Sequence, residues 1–317
     1  MKCILCESTS QFLDDYKLNI ESDIDYFGKL KIFYCVSCDL GFANPMPDSE
    51  KLNYFYSNIY RAKGRPHEIP ENYRFNLYSE RNLSYFTYLS TFVNFENINN
   101  IFDYGSGLGD LGSLIKKKYD HINLSSIELE KTSKKILKQR GYNVFENFDD
   151  INEKFDLIIS TQTIQQLSNF DIFTFFRSIS HKNTFVFLDV PNNNFSEKFL
   201  RRPYDSPRLI FYSKKCFFKI EKKFNLDIKN LSYASYSIDQ AYQYMLNSKK
   251  KYDKWTLDYK IDLKQKIKNI IKGFIPKFFL NFKDFLRQPK DRDKLIDDFL
   301  LQNHDSWSIK IIFKWKI

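Results

Sequence analysis

Ile101-Phe-Asp-Tyr-Gly-Ser-Gly-Leu-Gly109 is the stretch whose reading decides the fold of this chain. Its apolar lead-in reads as a buried strand, and its three alternating glycines read as a tight turn. Gly109-Asp-Leu-Gly-Ser-Leu-Ile-Lys-Lys-Lys118 then carries a helical pattern. A strand, a glycine-rich turn and a helix start together make a nucleotide-binding corner. Glycine tolerates positive φ and close approach of a ligand, and the helix start offers unpaired N–H groups.

Outward from this corner, short apolar runs alternate with helical ones. Strands are expected at 100–104, 123–128, 142–145, 155–160 and 184–190, with helices at 130–140 and 170–180. Such alternation implies βαβ units and a mostly parallel sheet covered on both faces. The second strand, Ile122-Asn-Leu-Ser-Ser-Ile-Glu128, ends on an acid about twenty residues after the glycines, where it can accept both hydroxyls of a ribose. Gly105, Gly107 and Gly109 are each two residues apart, unlike the G-x-G-x-x-G of dinucleotide sites. Asp103 precedes the turn, where a carboxylate repels a pyrophosphate and attracts a sulfonium or ammonium group.

At 317 residues, 43% hydrophobic and 28% charged, the chain can bury a full core and is globular in composition. It has no long apolar run and no leader-like N-terminus, so a cytoplasmic protein is expected. The net charge of +10 would suit an anionic partner, although the abundance of lysine, asparagine, isoleucine and phenylalanine offers a compositional account. Four of the five cysteines form two C-x-x-C pairs, Cys3/Cys6 and Cys35/Cys38. Four thiolates suit a closed tetrahedral Zn²⁺ site, and such a site is structural because it leaves no open position. A cytosolic chain disfavours disulfides. Cys216, on an apolar helical pattern, reads as a buried bystander.

With these residues in hand, the chain resembles the class I S-adenosylmethionine-dependent methyltransferases. It is most similar to the subgroup with an N-terminal zinc-binding segment found among sugar and polysaccharide-pathway enzymes. Asp103-Tyr-Gly-Ser-Gly-Leu-Gly109 matches the D-x-G-x-G-x-G motif, and Glu128 matches the acid closing the second strand. Phe155-Asp-Leu-Ile-Ile-Ser160 and Phe185-Val-Phe-Leu-Asp-Val-Pro191 match the fourth and fifth strands. The double C-x-x-C, Gly41-Phe-Ala-Asn-Pro45 and the tyrosine-rich helix after it also match. Two departures stand out. Gln162-Thr-Ile-Gln-Gln-Leu167 replaces a histidine-bearing stretch, and Ser180-His-Lys-Asn183 replaces a Pro-Gly-Gly turn.

The resemblance implies an α/β, Rossmann-like sheet of parallel strands with one antiparallel C-terminal strand. It implies three segments: a zinc ribbon over 1–47, a helical connector over 48–98, and a methyltransferase domain over 99–317. S-adenosylmethionine would be held by Asp103, Gly105, Ser106, Gly107, Gly109, Glu128 and Gln162, with adenine contacted from Glu146, Asn147 or Phe148. A sixth strand at 226–235 and a last strand at 307–315 would bracket a helical lid over about 236–306 that leaves and re-enters at the ligand edge of the sheet and so lies over the cleft.

The acceptor is expected to be a sugar nucleotide or glycan of surface polysaccharide biosynthesis, methylated on oxygen, with Arg201, Arg202 and Arg208 suited to its phosphates. Candidate catalytic groups are His304, His67 and Asp205. His121 and His181 precede strands at the opposite edge and read as structural. A zinc-ribbon RNA methyltransferase and a non-catalytic cofactor-binding scaffold are the alternatives. The lysine-rich face of the lid allows a peripheral membrane contact.

Overall fold

The computed structural model describes residues 1–18, 23–65, 67–69, 77, 79–193, 208–234 and 308–316. Strands β1 (Gln11–Asp15), β2 (Lys31–Cys35) and β3 (Leu40–Asn44) form an antiparallel sheet after the first cysteine pair, with the short helix α1 (Ile24–Phe27) between β1 and β2. Helix α2 (Ser49–Tyr54) starts where the Asp48 carboxylate accepts the Lys51 N–H at 2.7 Å. It runs into a wider π-helical turn over Phe55–Ile59.

A helix is expected over 71–95. It is observed as α3 (Glu80–Phe92), begun by the Ser79 hydroxyl, and it stops because Val93 turns extended. Residues 71–76 and 78 lie outside the described residues.

The second sheet carries the corner. Its strands are β4 (Asn100–Tyr104), β5 (Asn123–Ile127), β6 (Tyr142–Phe145), β7 (Phe155–Thr161), β8 (Ser180–Pro191), β10 (Leu226–Ala234) and β11 (Ser308–Trp315), in the order β10-β11-β8-β7-β4-β5-β6. β6, β5, β4, β7 and β8 run parallel, and β11 is antiparallel to both of its neighbours. Helices α4 (Asp110–Lys118), α5 (Lys131–Gln139), α6 (Asp171–Ser178) and α7 (Lys214–Phe224) lie between strands. This strand order, with its reversed last strand, is the Rossmann-like class I methyltransferase fold, and the expected strands fall where the sequence places them, except that β8 starts at Ser180 and takes in the stretch 180–183 expected as a turn.

Two apolar layers cover the sheet. On one face Leu83, Tyr85 and Leu89 of α3 pack with Ile101, Leu111, Leu124, Leu157 and Phe187. On the other, Phe102, Phe155, Ile158 and Phe176 share a core with Cys3, Cys35, Cys38, Leu40 and Phe42. The cysteine-bearing sheet is therefore built onto the larger one. Its fourth strand, β9 (Ile210–Phe211), comes from the stretch after β8 and pairs with Gly41 and Phe42 of β3.

Ala234 at the end of β10 pairs with Ser308 at the start of β11, and Ser308 pairs with Pro191 at the end of β8. The segment between β10 and β11 thus leaves and returns at the edge where the parallel strands end. The expected lid, with His304, and the segment containing Arg201, Arg202 and Asp205 lie outside the described residues. No described helix is long and apolar enough to cross a membrane.

Candidate functional site

A cavity of about 1350 Å³ opens at the carboxyl edge of β4, β5 and β7. The glycine turn forms its floor, since Asp103, Gly105, Ser106, Gly107 and Leu108 line it, together with Glu128, Gln162 and His67. The three glycines differ in what they face. A Cβ on Gly107 (φ +58°) would stand 3.3 Å from the Arg61 guanidinium, on the cavity side. A Cβ on Gly109 (φ +72°) would instead drive into Leu137 at 2.6 Å, so that glycine is required by packing against α5. The turn is stapled to β5 by Ser126, whose hydroxyl donates to the Asp103 carbonyl at 2.9 Å and meets the Ser106 hydroxyl at 2.7 Å.

Glu128 is oriented by backbone. One carboxylate oxygen accepts the Gly107 N–H at 2.9 Å, and the other accepts the Leu129 N–H at 2.8 Å. Burial raises its carboxyl, while these N–H groups and the charge of Arg61 pull it back down. Asp103 has less help. Burial, and then the charge of Glu128, push its carboxyl up to about 7. Two acids held this close are a receptor for positive charge, because a cation relieves both the desolvation and the mutual repulsion.

Of the three residues expected near adenine, all line the cavity, but two are engaged elsewhere. Glu146 pairs with Lys134 and Lys138, and Asn147 donates to Asp150 at 3.2 Å. Phe148 is stacked on Tyr104 at 6.2 Å, packs edge-on to Phe175, and leaves 46% of its surface exposed. It offers an apolar ring to a planar ligand.

Gln162 sits just past β7 with φ +56°. Its N–H donates to the Asp189 carbonyl at 2.8 Å and its amide to the Asp189 carboxylate at 2.6 Å, which holds the strained backbone in place. Tyr85 also donates to that carboxylate, at 2.8 Å. Directly across the β8–β11 pairing from Asp189 stands Lys310, fully buried, bonded to Ser84 at 2.6 Å and lying over the rings of Tyr85 and Tyr88. Burial lowers the Lys310 amine to about 8, against the pull of Asp189. This charged cluster pins α3 to the last strand behind the cavity. Sequence reading passed over it, although a lysine inside Ser-Ile-Lys-Ile-Ile-Phe and an aspartate inside Val-Phe-Leu-Asp-Val were its signal.

The remaining candidates divide clearly. His67 reaches the cavity, with its ring 4.5 Å from that of Tyr60. His121 bonds the Ile98 carbonyl and His181 the Asp156 carboxylate, and neither lines the cavity. Arg81 and Arg208 also line the cavity, and the backbone N–H of Arg208 donates to the Tyr16 hydroxyl at 2.7 Å.

The four N-terminal cysteines converge, with every sulfur within 4.8 Å of the others. Cys3 lies 3.5 Å from Cys38, and Cys6 lies 3.6 Å from Cys35. Zn–S bonds of about 2.3 Å in a tetrahedron separate sulfurs by about 3.8 Å, so the donor set fits zinc. All five cysteines are free thiols, with Cys216 buried as expected. Lys223 of α7 donates to the Leu5 carbonyl at 3.2 Å, tying the first knuckle to the larger domain.

Fold and strand order together are those of the class I S-adenosylmethionine-dependent methyltransferases, with an added four-cysteine cluster that could hold a metal. No protein-family model matches the chain, and no curated protein matches it. Solved structures of similar fold include the O-methyltransferase from the trans-AT PKS multienzyme of Brevibacillus brevis, in complex with S-adenosyl-L-homocysteine. It is 15% identical over 75% of this chain and 72% of that one, with a TM-score of 0.43. Coclaurine N-methyltransferase is 12% identical over 84% of this chain and 81% of its own, also with a TM-score of 0.43. At such distances these likenesses bear on neither cofactor nor acceptor, and the fold assignment rests on strand order.

Proposed function

We propose that this chain is an S-adenosylmethionine-dependent methyltransferase acting on a sugar or sugar-derived acceptor, with transfer to oxygen. The observation that carries the donor is the acid pair at the glycine turn: Glu128, anchored to the Gly107 N–H, beside the buried Asp103. Glu128 would accept the ribose hydroxyls and Phe148 would stack on adenine. Asp103 and Gly107 would face the amino-acid end, with Gln162 beside the reacting methyl group. When bound, the donor supplies an electrophilic methyl group on a sulfonium. The chain's own contribution is alignment of the acceptor oxygen and removal of its proton. His67 is the described candidate for that proton; His304 and Asp205 are the others proposed. Arg81 and Arg208 in the cavity lining support an acceptor that carries phosphate.

The test is calorimetric titration with S-adenosylmethionine, followed by transfer of labelled methyl to a panel of nucleotide sugars. Saturable binding and a labelled sugar product are expected. Labelled RNA with salt-sensitive retention would move the acceptor to nucleic acid, and the absence of any donor binding would end the methyltransferase reading. We also propose that Cys3, Cys6, Cys35 and Cys38 hold a structural Zn²⁺.

A further inference from the structure

An amino-acid donor brings a carboxylate as well as an ammonium group, and the floor of the cavity is acidic. A cation must therefore come from elsewhere, and the connector supplies it. Arg61 leaves the π-helical turn over Phe55–Ile59 and points its guanidinium at Gly107, 3.3 Å from where a Cβ would be. A π turn spreads an extra residue over one turn, which re-aims the side chains that follow it and is frequent at functional sites.

The strap bearing Arg61 is anchored on both sides. Phe55 is fully buried against Phe27, and Arg65 makes two 2.8 Å bonds to the buried Asp23 carboxylate. Within the strap Arg61 donates to the His67 carbonyl at 3.2 Å and lies 5.5 Å over the Tyr60 ring. Both contacts are made by the guanidinium, through Nη1 and its central carbon, and they fix its plane with Nη2 on the side of the turn.

We infer that Arg61 recognises the carboxylate of the donor's amino-acid end, delivered to the glycine turn by the N-terminal connector. The inference rests on the donor reading above and adds a residue and a chemical group to it. A guanidinium matches a carboxylate in two parallel bonds, which a lysine cannot reproduce. In this arrangement Glu128 anchors the ribose end, and Asp103 and Arg61 read the two charges of the amino acid.

The experiment compares S-adenosylmethionine with decarboxylated S-adenosylmethionine, which lacks only this carboxylate, by calorimetry on the full chain. The parent protein is expected to prefer the carboxylated ligand by about 10- to 100-fold, the range for a charge-assisted hydrogen-bonded pair. Arg61→Gln is expected to erase that preference by losing affinity for S-adenosylmethionine while binding the decarboxylated ligand as the parent does. Arg61→Lys is expected to fall between them. Retained binding of the decarboxylated ligand also shows that the variant's cavity is intact. Equal loss for both ligands, or no loss for either, overturns the role of Arg61 and leaves the donor reading standing. Failure of the parent to bind either ligand overturns both.

Discussion

Asp103→Asn tests the electrostatics of the site most directly. Asp103 is 3% exposed at the end of β4, and its carboxyl stands at about 7 instead of its ordinary 3.8. Ionising it in the free protein therefore costs about 4 kcal/mol relative to the unfolded chain. The sign follows from proton counting. Between about pH 4 and 7 the folded protein keeps a proton that the unfolded chain has released, so stability is full below about 4 and is lost as pH rises through 7. Asparagine has nearly the same shape and no charge to bury. At pH 8 the variant should be more stable than the parent by up to about 4 kcal/mol, or about 6 °C in Tm for a chain of this length. At pH 4 the advantage should vanish.

Cofactor binding should move the opposite way. A cationic ligand takes the ionised carboxyl, whose population rises from about 3% at pH 5.5 to about half at pH 7, so the parent's affinity should rise more than tenfold over that interval. This window lies below the titration of an α-amino group. The variant should bind weakly at every pH, without that slope. Thermal scans at pH 4 and 8 and calorimetry at pH 5.5 and 7 suffice. A variant no more stable than the parent at pH 8, or one that keeps the slope in binding, would refute the assignment of the charge to Asp103.

Metal analysis should find one zinc ion per chain, lost in Cys35→Ser together with several degrees of Tm; well under one ion in the parent would remove the zinc reading. Lys310→Met should cost about 1 to 3 kcal/mol in urea unfolding by removing the buried amine that Ser84 holds across from Asp189, and Lys310→Met with Asp189→Asn should cost less than the two single changes added together. A double variant as unstable as the sum of its parts would show that the two charges do not interact. Gly28→Ala, at positive φ but with open space around it, should cost about 1 kcal/mol. Gly109→Ala should cost about 1 to 3 kcal/mol more because its methyl group meets Leu137. Equal midpoints for the two glycine variants would show that the turn does not pack on α5 as described.

What could be read from residues alone was local. The parallel strands were legible because short apolar clusters such as Leu157-Ile-Ile159 and Phe185-Val-Phe-Leu188, spaced between helical stretches, have few other ways to hide. Asp103, Gly107 and Glu128 were legible because a turn and the end of the next strand are close in the chain, and their spacing encodes their meeting. The cysteines were legible because two C-x-x-C pairs advertise a tetrahedron wherever the chain brings them together. α3 ends at Phe92 and not at 95, since its boundary depends on where Val93 leaves the helix and not on apolar spacing.

Tertiary structure decided the rest. Basic residues between 61 and 67 were visible, but only packing of the connector selected Arg61 to face Gly107, while Arg65 turned inward to Asp23. Three residues after β6 were equivalent as adenine contacts until Lys134 claimed Glu146 and Asp150 claimed Asn147. Lys310 and Asp189 became partners only when β11 inserted beside β8 in one register. In sequence, then, the chain determined its fold, its glycine turn and its four-cysteine cluster, because local spacing carries those. Which charges meet at the cavity was settled by contacts between distant elements, where burial allows a charge to remain only beside a partner.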